Sequence, residues 1–320
     1  MMTSTLVQPS AVLAPVCAEN PPLEWEHIAC NLCGSDDAAV YHRERLPYFK
    51  LQVDFTIVRC RCCGLVYTNP RLRDYNAVYL EGFTETPAQI EAHARAKKPV
   101  FDQALRQILE RQRTSGQPAE GRLLDLGCGT GHFLRAAQEF GFTGTGVEPA
   151  AEPAHYAMDC VGVKVRQADI YNVALPQDHF DVITAWDVIE HVADPAGMLQ
   201  RCAAWLKPGG ILALRFPSAP WQKIKGVILH QWLRSSRPSF SPTMHLTFFD
   251  AATLTHMCRR TGLSVLDIHS TPLEINPGAP RLQNMAKRLI DVGLRGLETV
   301  RSKPIGNLEA YVQKPLEFTL

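Results

Sequence analysis

Two cysteine pairs and one glycine-rich loop carry the residue types from which chemistry can be read. Cys30-Asn-Leu-Cys33-Gly34 and Cys60-Arg-Cys-Cys63-Gly64 are matched C-x-x-C-G units. Two intervening residues let both sulfurs of a unit face one metal ion, and the glycine permits the left-handed turn of a knuckle. Four thiolates suit a tetrahedral structural zinc whose coordination positions are all filled by protein. The 26 residues between Cys33 and Cys60 exceed the usual ~15–20, and an insert between the knuckles accounts for the difference. Cys62 is a spare thiol that breaks the two-residue spacing. Buried or redox-active thiols are the competing reading, which suits a lone C-x-x-C better than two copies.

The loop is Leu123-Leu-Asp125-Leu-Gly127-Cys-Gly129-Thr-Gly131, placed between an expected strand and an expected helix. Glycines there let the backbone approach a ligand and leave helix N–H groups facing it. A second strand ends at Glu148, 21 residues after Gly127, where a carboxylate can accept hydrogen bonds from ribose hydroxyls. A third ends at Gln167-Ala-Asp169, where a carboxylate can accept from an adenine amino group. The pattern G-x-G-x-G followed by His132 departs from the dinucleotide fingerprint G-x-G-x-x-G. That departure disfavours a nicotinamide-dependent oxidoreductase without removing it.

With LLDLGCGTGHFL (123–134), GVEP (146–149), QAD (167–169), FDVITAWDVIEHV (180–192) and LKPGGILAL (206–214), the chain from Arg122 to Arg215 resembles the class I S-adenosylmethionine-dependent methyltransferases. The resemblance implies that Gly127, Gly129 and Gly131 line the methionine part of the cofactor, that Glu148 holds its ribose and that Asp169 holds its adenine. Asp125 and Asp187 are counted with the cofactor-binding residues. It also implies a doubly wound, seven-stranded, mostly parallel α/β sheet, Rossmann-like, whose last strand is reversed. The Cys module ahead of it resembles the amino-terminal zinc ribbon of a bacterial subgroup acting on small molecules, some on deoxysugar carbons. The additional carboxyl-terminal domain typical of those sugar enzymes is not expected in residues 119–320, which points away from a sugar acceptor.

A methyl group on sulfonium is already activated, so the protein has to align the nucleophile and exclude water. An alcohol or carbon acid must also lose a proton. The loop after the fourth strand, with Trp186, Asp187, Glu190 and His191, is the natural place. His191 is the first candidate base and His245 the second, since imidazole titrates near neutral pH. Bracing of the loop by Glu190 and His191 is an equal alternative.

The elements that must position these groups follow from pattern. Strands are expected at Arg122–Leu126, Thr143–Val147, Val161–Val165, Phe180–Ala185 and Gly210–Arg215. Helices are expected at Gly131–Phe140, Ala150–Met158, Pro195–Leu206 and Ala251–Thr261, an alternation that builds a parallel sheet. Leu263–His269 and Glu309–Gln313 read as late strands around a helix at Arg281–Glu298. Residues 1–24 read as a tail, 25–72 as the zinc ribbon and 73–118 as a helical connector interrupted at Pro99. Residues 119–320 read as the cofactor-binding domain, with an insert at 217–245 as an amphipathic packed helix or a substrate lid.

The 320 residues carry a net charge of +1, which argues against a nucleic-acid binder. Yet the 55 residues from Pro195 to Phe249 hold seven Lys or Arg and no Asp or Glu, so an anionic or lipid-linked small-molecule acceptor fits. No apolar run has the ~20 residues of a membrane span, and the start makes a poor signal peptide, so a cytoplasmic location is expected. A non-catalytic cofactor-binding or docking protein is the remaining alternative.

Overall fold

The computed structural model describes residues 23–48, 51–73, 85–117, 120–227, 240–272, 289–294 and 304–316, together with 285 and 296. Its largest sheet has seven strands in the order β12-β13-β10-β9-β6-β7-β8. These are β6 (Arg122–Leu126), β7 (Thr143–Glu148), β8 (Val165–Gln167), β9 (Phe180–Trp186), β10 (Leu206–Pro217), β12 (Ser264–Thr271) and β13 (Asn307–Gln313). All neighbours among β6 to β10 pair parallel, and β13 runs antiparallel to both β10 and β12. This is the expected seven-stranded sheet with its reversed last strand. Val182, Ile183, Leu212 and Ala213 are fully buried in its centre because both faces are covered by helices.

Four helices cover those faces: α2 (His132–Glu139), α3 (Ala151–Tyr156), α4 (Pro195–Trp205) and α6 (Ala251–Arg260). Asp194 and Asp250 cap α4 and α6, their side chains accepting from Gly197 N and Thr253 N. The third strand departs from expectation. The helix continues past Tyr156 as a π-helical turn over Ala157–Val161, stops at left-handed Gly162, and the strand begins only at Val165.

Ahead of the sheet lies α1, which runs unbroken over Pro87–Thr114 and corrects the expected interruption at Pro99. A proline inside a helix costs one backbone bond. Here Ala104, Leu105 and Ile108 are buried beyond it, and Phe101 meets Phe133 edge-on with ring centroids 5.4 Å apart. A Thr86–Gln89 capping box starts the helix.

The amino-terminal module adds β1 (Trp25–Glu26), β2 (Ala38–Tyr48), β3 (Leu51–Cys60), β4 (Val66–Thr68) and β5 (Arg71–Leu72). β1 pairs with β5. β2, β3 and β4 form an antiparallel sheet whose fourth strand is β11 (Thr247–Phe248), from far along the chain. One apolar core also runs through both parts, joining Leu32, Val58, Leu65 and Tyr67 to Leu199, Phe249, Leu254 and Cys258.

The insert begins with α5 (Ala219–Val227). Trp221 packs with Leu294 and Ile305, Gln222 is buried, and Lys223 lies over the Tyr41 ring at 4.7 Å. Ile228, Trp232 and Leu233, in the insert expected to form an amphipathic helix or lid, lie outside the described residues, as does most of the expected 281–298 helix. No described helix is long and apolar enough to cross a membrane.

Candidate cofactor cleft and cysteine cluster

A cleft opens beyond the carboxyl ends of β6 to β9, where ligands bind in sheets of this kind. Gly127, Val147, Pro149, Asp169, Ile170 and Tyr171 line one part of it; Asp187, Val188, His191, Val192 and Met244 line the other. Gly127 has φ +65°, and a Cβ there would stand 2.7 Å from Val188 Cγ2. The position therefore needs glycine both for its backbone and for the open floor of the cleft.

Asp125, Gly129, Gly131 and Glu148 are not among the lining residues. Glu148 is fully buried, with Oε2 accepting from Gly129 N and Oε1 from Ala150 N, both at 2.9 Å. The carboxylate thus ties the glycine loop to the end of β7. Asp125 is buried behind it and accepts from the Thr184 hydroxyl at 2.6 Å. Burial, opposed by that hydrogen bond and aided by the Glu148 charge, lifts the Asp125 carboxyl to about 7. Gly131 caps α2 in a left-handed conformation. Asp169 accepts from Tyr171 N at 2.7 Å through one oxygen.

At the other end, Asp187 adopts φ 56° and donates its N–H to Arg215 O at 2.8 Å. His191 Nδ1 lies 2.9 Å from Met244 O. A carbonyl only accepts, so Nδ1 carries the proton and Nε2 the lone pair. Burial depresses the His191 imidazole, while the Met244 bond and Asp187 pull it back up. His245 stands behind, its ring 4.7 Å from that of His191, with Gln222 Nε2 at 3.3 Å from its Nδ1. Burial, His191 and Lys225 hold it well below the usual imidazole range. His245 is not among the cleft-lining residues, so the two candidate bases are neighbours with unequal access.

Glu190 is buried, and burial with the Asp187 charge pushes its carboxyl well above the ordinary range. Its main-chain oxygen accepts from Leu246 N and Thr247 N, which fastens the loop to β11. Its Oε2 has no hydrogen-bond partner, and Glu190, His191 and His245 offer ligand atoms within 4.8 Å of one another. That trio has the mixed N/O donors of a cation site.

Cys30, Cys33, Cys60 and Cys63 converge with their sulfurs within 4.8 Å of one another. Cys30–Cys63 and Cys33–Cys60 are each 3.5 Å apart. These gaps are far beyond a disulfide bond and close to the ~3.8 Å edge of a tetrahedron with Zn–S bonds of about 2.3 Å. Both knuckles close with the same turn, Gly34 N to Cys30 O and Gly64 N to Cys60 O. Cys62 is exposed.

Sequence reasoning missed Tyr171, Val188, Met244, Gln222 and Glu91. Glu91, on α1, accepts from Tyr156 at 3.0 Å and meets His132 Nε2 at 3.2 Å, linking that helix to the glycine loop. The pattern predicts a helix over 73–118, but nothing in the sequence shows that it would meet the glycine loop through Glu91.

The fold and cleft together define a methyltransferase. The family described as "Methyltransferase domain" matches residues 95–268. The chain therefore belongs to the class I S-adenosylmethionine-dependent methyltransferases. It is 33% identical over 145 residues to a ubiquinone biosynthesis O-methyltransferase of Nitrobacter winogradskyi, covering 42% of this chain and 53% of that one. A protein of the same name from Rhodopseudomonas palustris is 31% identical over 164 residues, covering 44% and 62%. The chain thus spans little more than half the length of these relatives. A solved chain from the complex of the Haloferax volcanii Trm112 methyltransferase activator with a methyltransferase superposes with a TM-score of 0.50 at 18% identity. It covers 76% of this chain and 98% of its own, a likeness of fold.

Proposed function

We propose that the protein transfers the methyl group of S-adenosylmethionine to an oxygen or carbon of a small-molecule acceptor bound beside His191. The observation that carries this is the single cleft joining Gly127 and Asp169 at one end to Asp187 and His191 at the other. When bound, the cofactor supplies a methyl group already activated on sulfonium. Gly127 would give it backbone access, Glu148, which ties the glycine loop to the end of β7, would hold its ribose, and Asp169 and Tyr171 would hold its adenine. His191 Nε2 would take the proton that the acceptor oxygen or carbon loses as it receives the methyl group.

The relatives' name supports oxygen as the receiving atom and a ubiquinone precursor as one acceptor class. The seven Lys or Arg without any Asp or Glu between Pro195 and Phe249 support an anionic or lipid-linked one. The four converging thiols are assigned to one structural zinc.

Methyl-labelled S-adenosylmethionine offered with phenolic ubiquinone precursors, sugar nucleotides and anionic lipid-linked acceptors tests the reading. Label is expected in one class, with S-adenosylhomocysteine formed in equal amount. Cofactor binding with label in none of them would support a docking protein instead.

A further inference from the structure

One knuckle residue that binds no metal points out of the cysteine cluster. Asn31, between Cys30 and Cys33, reaches the start of α4. Its Nδ2 donates to Asp194 Oδ1 at 2.8 Å, and its Oδ1 accepts from Ala196 N at 3.1 Å. Asp194 already caps this helix by accepting from Gly197 N at 3.0 Å. Its main chain is gripped in turn by the cleft-lining Tyr171. The phenol donates to Asp194 O at 2.8 Å and accepts from Asp194 N at 3.1 Å. Tyr171 N finally donates to Asp169 Oδ1 at 2.7 Å. An unbroken series of hydrogen bonds therefore leads from the Cys30–Cys33 knuckle to the carboxylate at the third strand's end.

Two flanking ties keep the knuckle in register with this wall. Arg71 Nη1 donates to Ala193 O at 2.8 Å, and Arg260 Nη1 donates to Leu32 O at 2.7 Å, inside the knuckle itself. Leu32 is buried in the core shared with Leu199 of α4.

We propose that Asn31 is a positioning residue for the cofactor cleft, through which the metal-set knuckle fixes Tyr171 and Asp169 in their binding arrangement. This rests on the cofactor and zinc assignments made above. Asn31 touches no reacting atom. It acts by keeping Asp194 and Tyr171 in one arrangement, so that binding does not first have to select it from several. Coupling of this kind is reciprocal, so a filled cleft should also hold the knuckle's metal more firmly.

The test uses the full chain, zinc and S-adenosylhomocysteine. In the parent, S-adenosylhomocysteine is expected to slow zinc loss to excess EDTA several-fold. Asn31→Ala should keep one zinc per chain and bind S-adenosylhomocysteine about three- to tenfold more weakly, the factor that one net hydrogen bond carries. Its KM for S-adenosylmethionine should rise by a similar factor with kcat nearly unchanged. Zinc loss in the variant should no longer respond to S-adenosylhomocysteine. Tyr171→Phe keeps the ring in the cleft but deletes both bonds to Asp194, and it should show the same loss of coupling if Asn31→Ala does not fold. Equal affinity in parent and both variants, with zinc loss indifferent to S-adenosylhomocysteine throughout, overturns the positioning role alone. A parent that binds no S-adenosylhomocysteine overturns the cofactor assignment as well.

Discussion

Cys33→Ser is expected to strip the zinc and to lower the melting temperature of the whole chain by roughly 10 °C. Cys33 is half-buried, so its replacement removes little packing and isolates the loss of a ligand. Three thiols cannot complete a closed tetrahedral site, and structural zinc contributes directly to folding free energy. The effect should reach beyond the module, because Leu32, Leu65 and Tyr67 belong to the same apolar core as Leu199 and Phe249. β11 also joins the module's sheet. A cost of about 4 kcal/mol, at about 2–3 °C per kcal/mol for a chain of this size, gives the stated shift. Cys62→Ser is the control, since that thiol is exposed, and it should keep both the metal and the melting temperature. Calorimetry with metal analysis of both variants decides. Full zinc content in Cys33→Ser would remove that residue from the ligand set.

His191→Ala is expected to lower kcat by about 10²- to 10⁴-fold, the usual contribution of a positioned base. Affinity for S-adenosylhomocysteine should stay within about threefold, because the imidazole works at the acceptor end of the cleft. The pH profile sharpens this. Burial places the His191 imidazole below its ordinary 6.5 against the pull of Met244 and Asp187. It must be neutral to accept a proton, so parent activity should be on its plateau above pH 6.5 and fall only as pH drops through the depressed value. An acid limb centred above pH 6.5, or one that persists in the variant, would assign proton removal to another group.

The chain's pattern revealed the sheet because each βα unit announces itself locally, through an apolar run and then a capped helix. The helix starts expected at Pro195 and Ala251 are those of the structure, where Asp194 and Asp250 cap them. Pro99 misled because local propensity favours a break there, whereas buried Ala104, Leu105 and Ile108 hold α1 together through tertiary contact. The third strand slipped because the helix before it runs on through a π-helical turn to Gly162, and an apolar run does not separate strand from buried helix end.

Gly127 and Asp169, whose spacing from strand ends is fixed by the fold, were legible as residues that line the cleft. Its acceptor end was less so. Met244 reaches His191 across 53 positions, and Asn31 reaches Asp194 across 163. β11 is two residues long and pairs with a strand some 180 positions earlier, Thr247 opposite Tyr67. Contacts at such separations leave no period in the sequence.

The central claim is that this cleft binds S-adenosylmethionine, and titration calorimetry with S-adenosylhomocysteine tests it most directly. One molecule is expected to bind per chain, with NADH giving no heat. Gly127→Ala should bind at least about tenfold more weakly, since its Cβ would collide with Val188 Cγ2 and its left-handed backbone strains any other residue. Binding of NADH in place of S-adenosylhomocysteine, or equal binding by Gly127→Ala, would contradict the account.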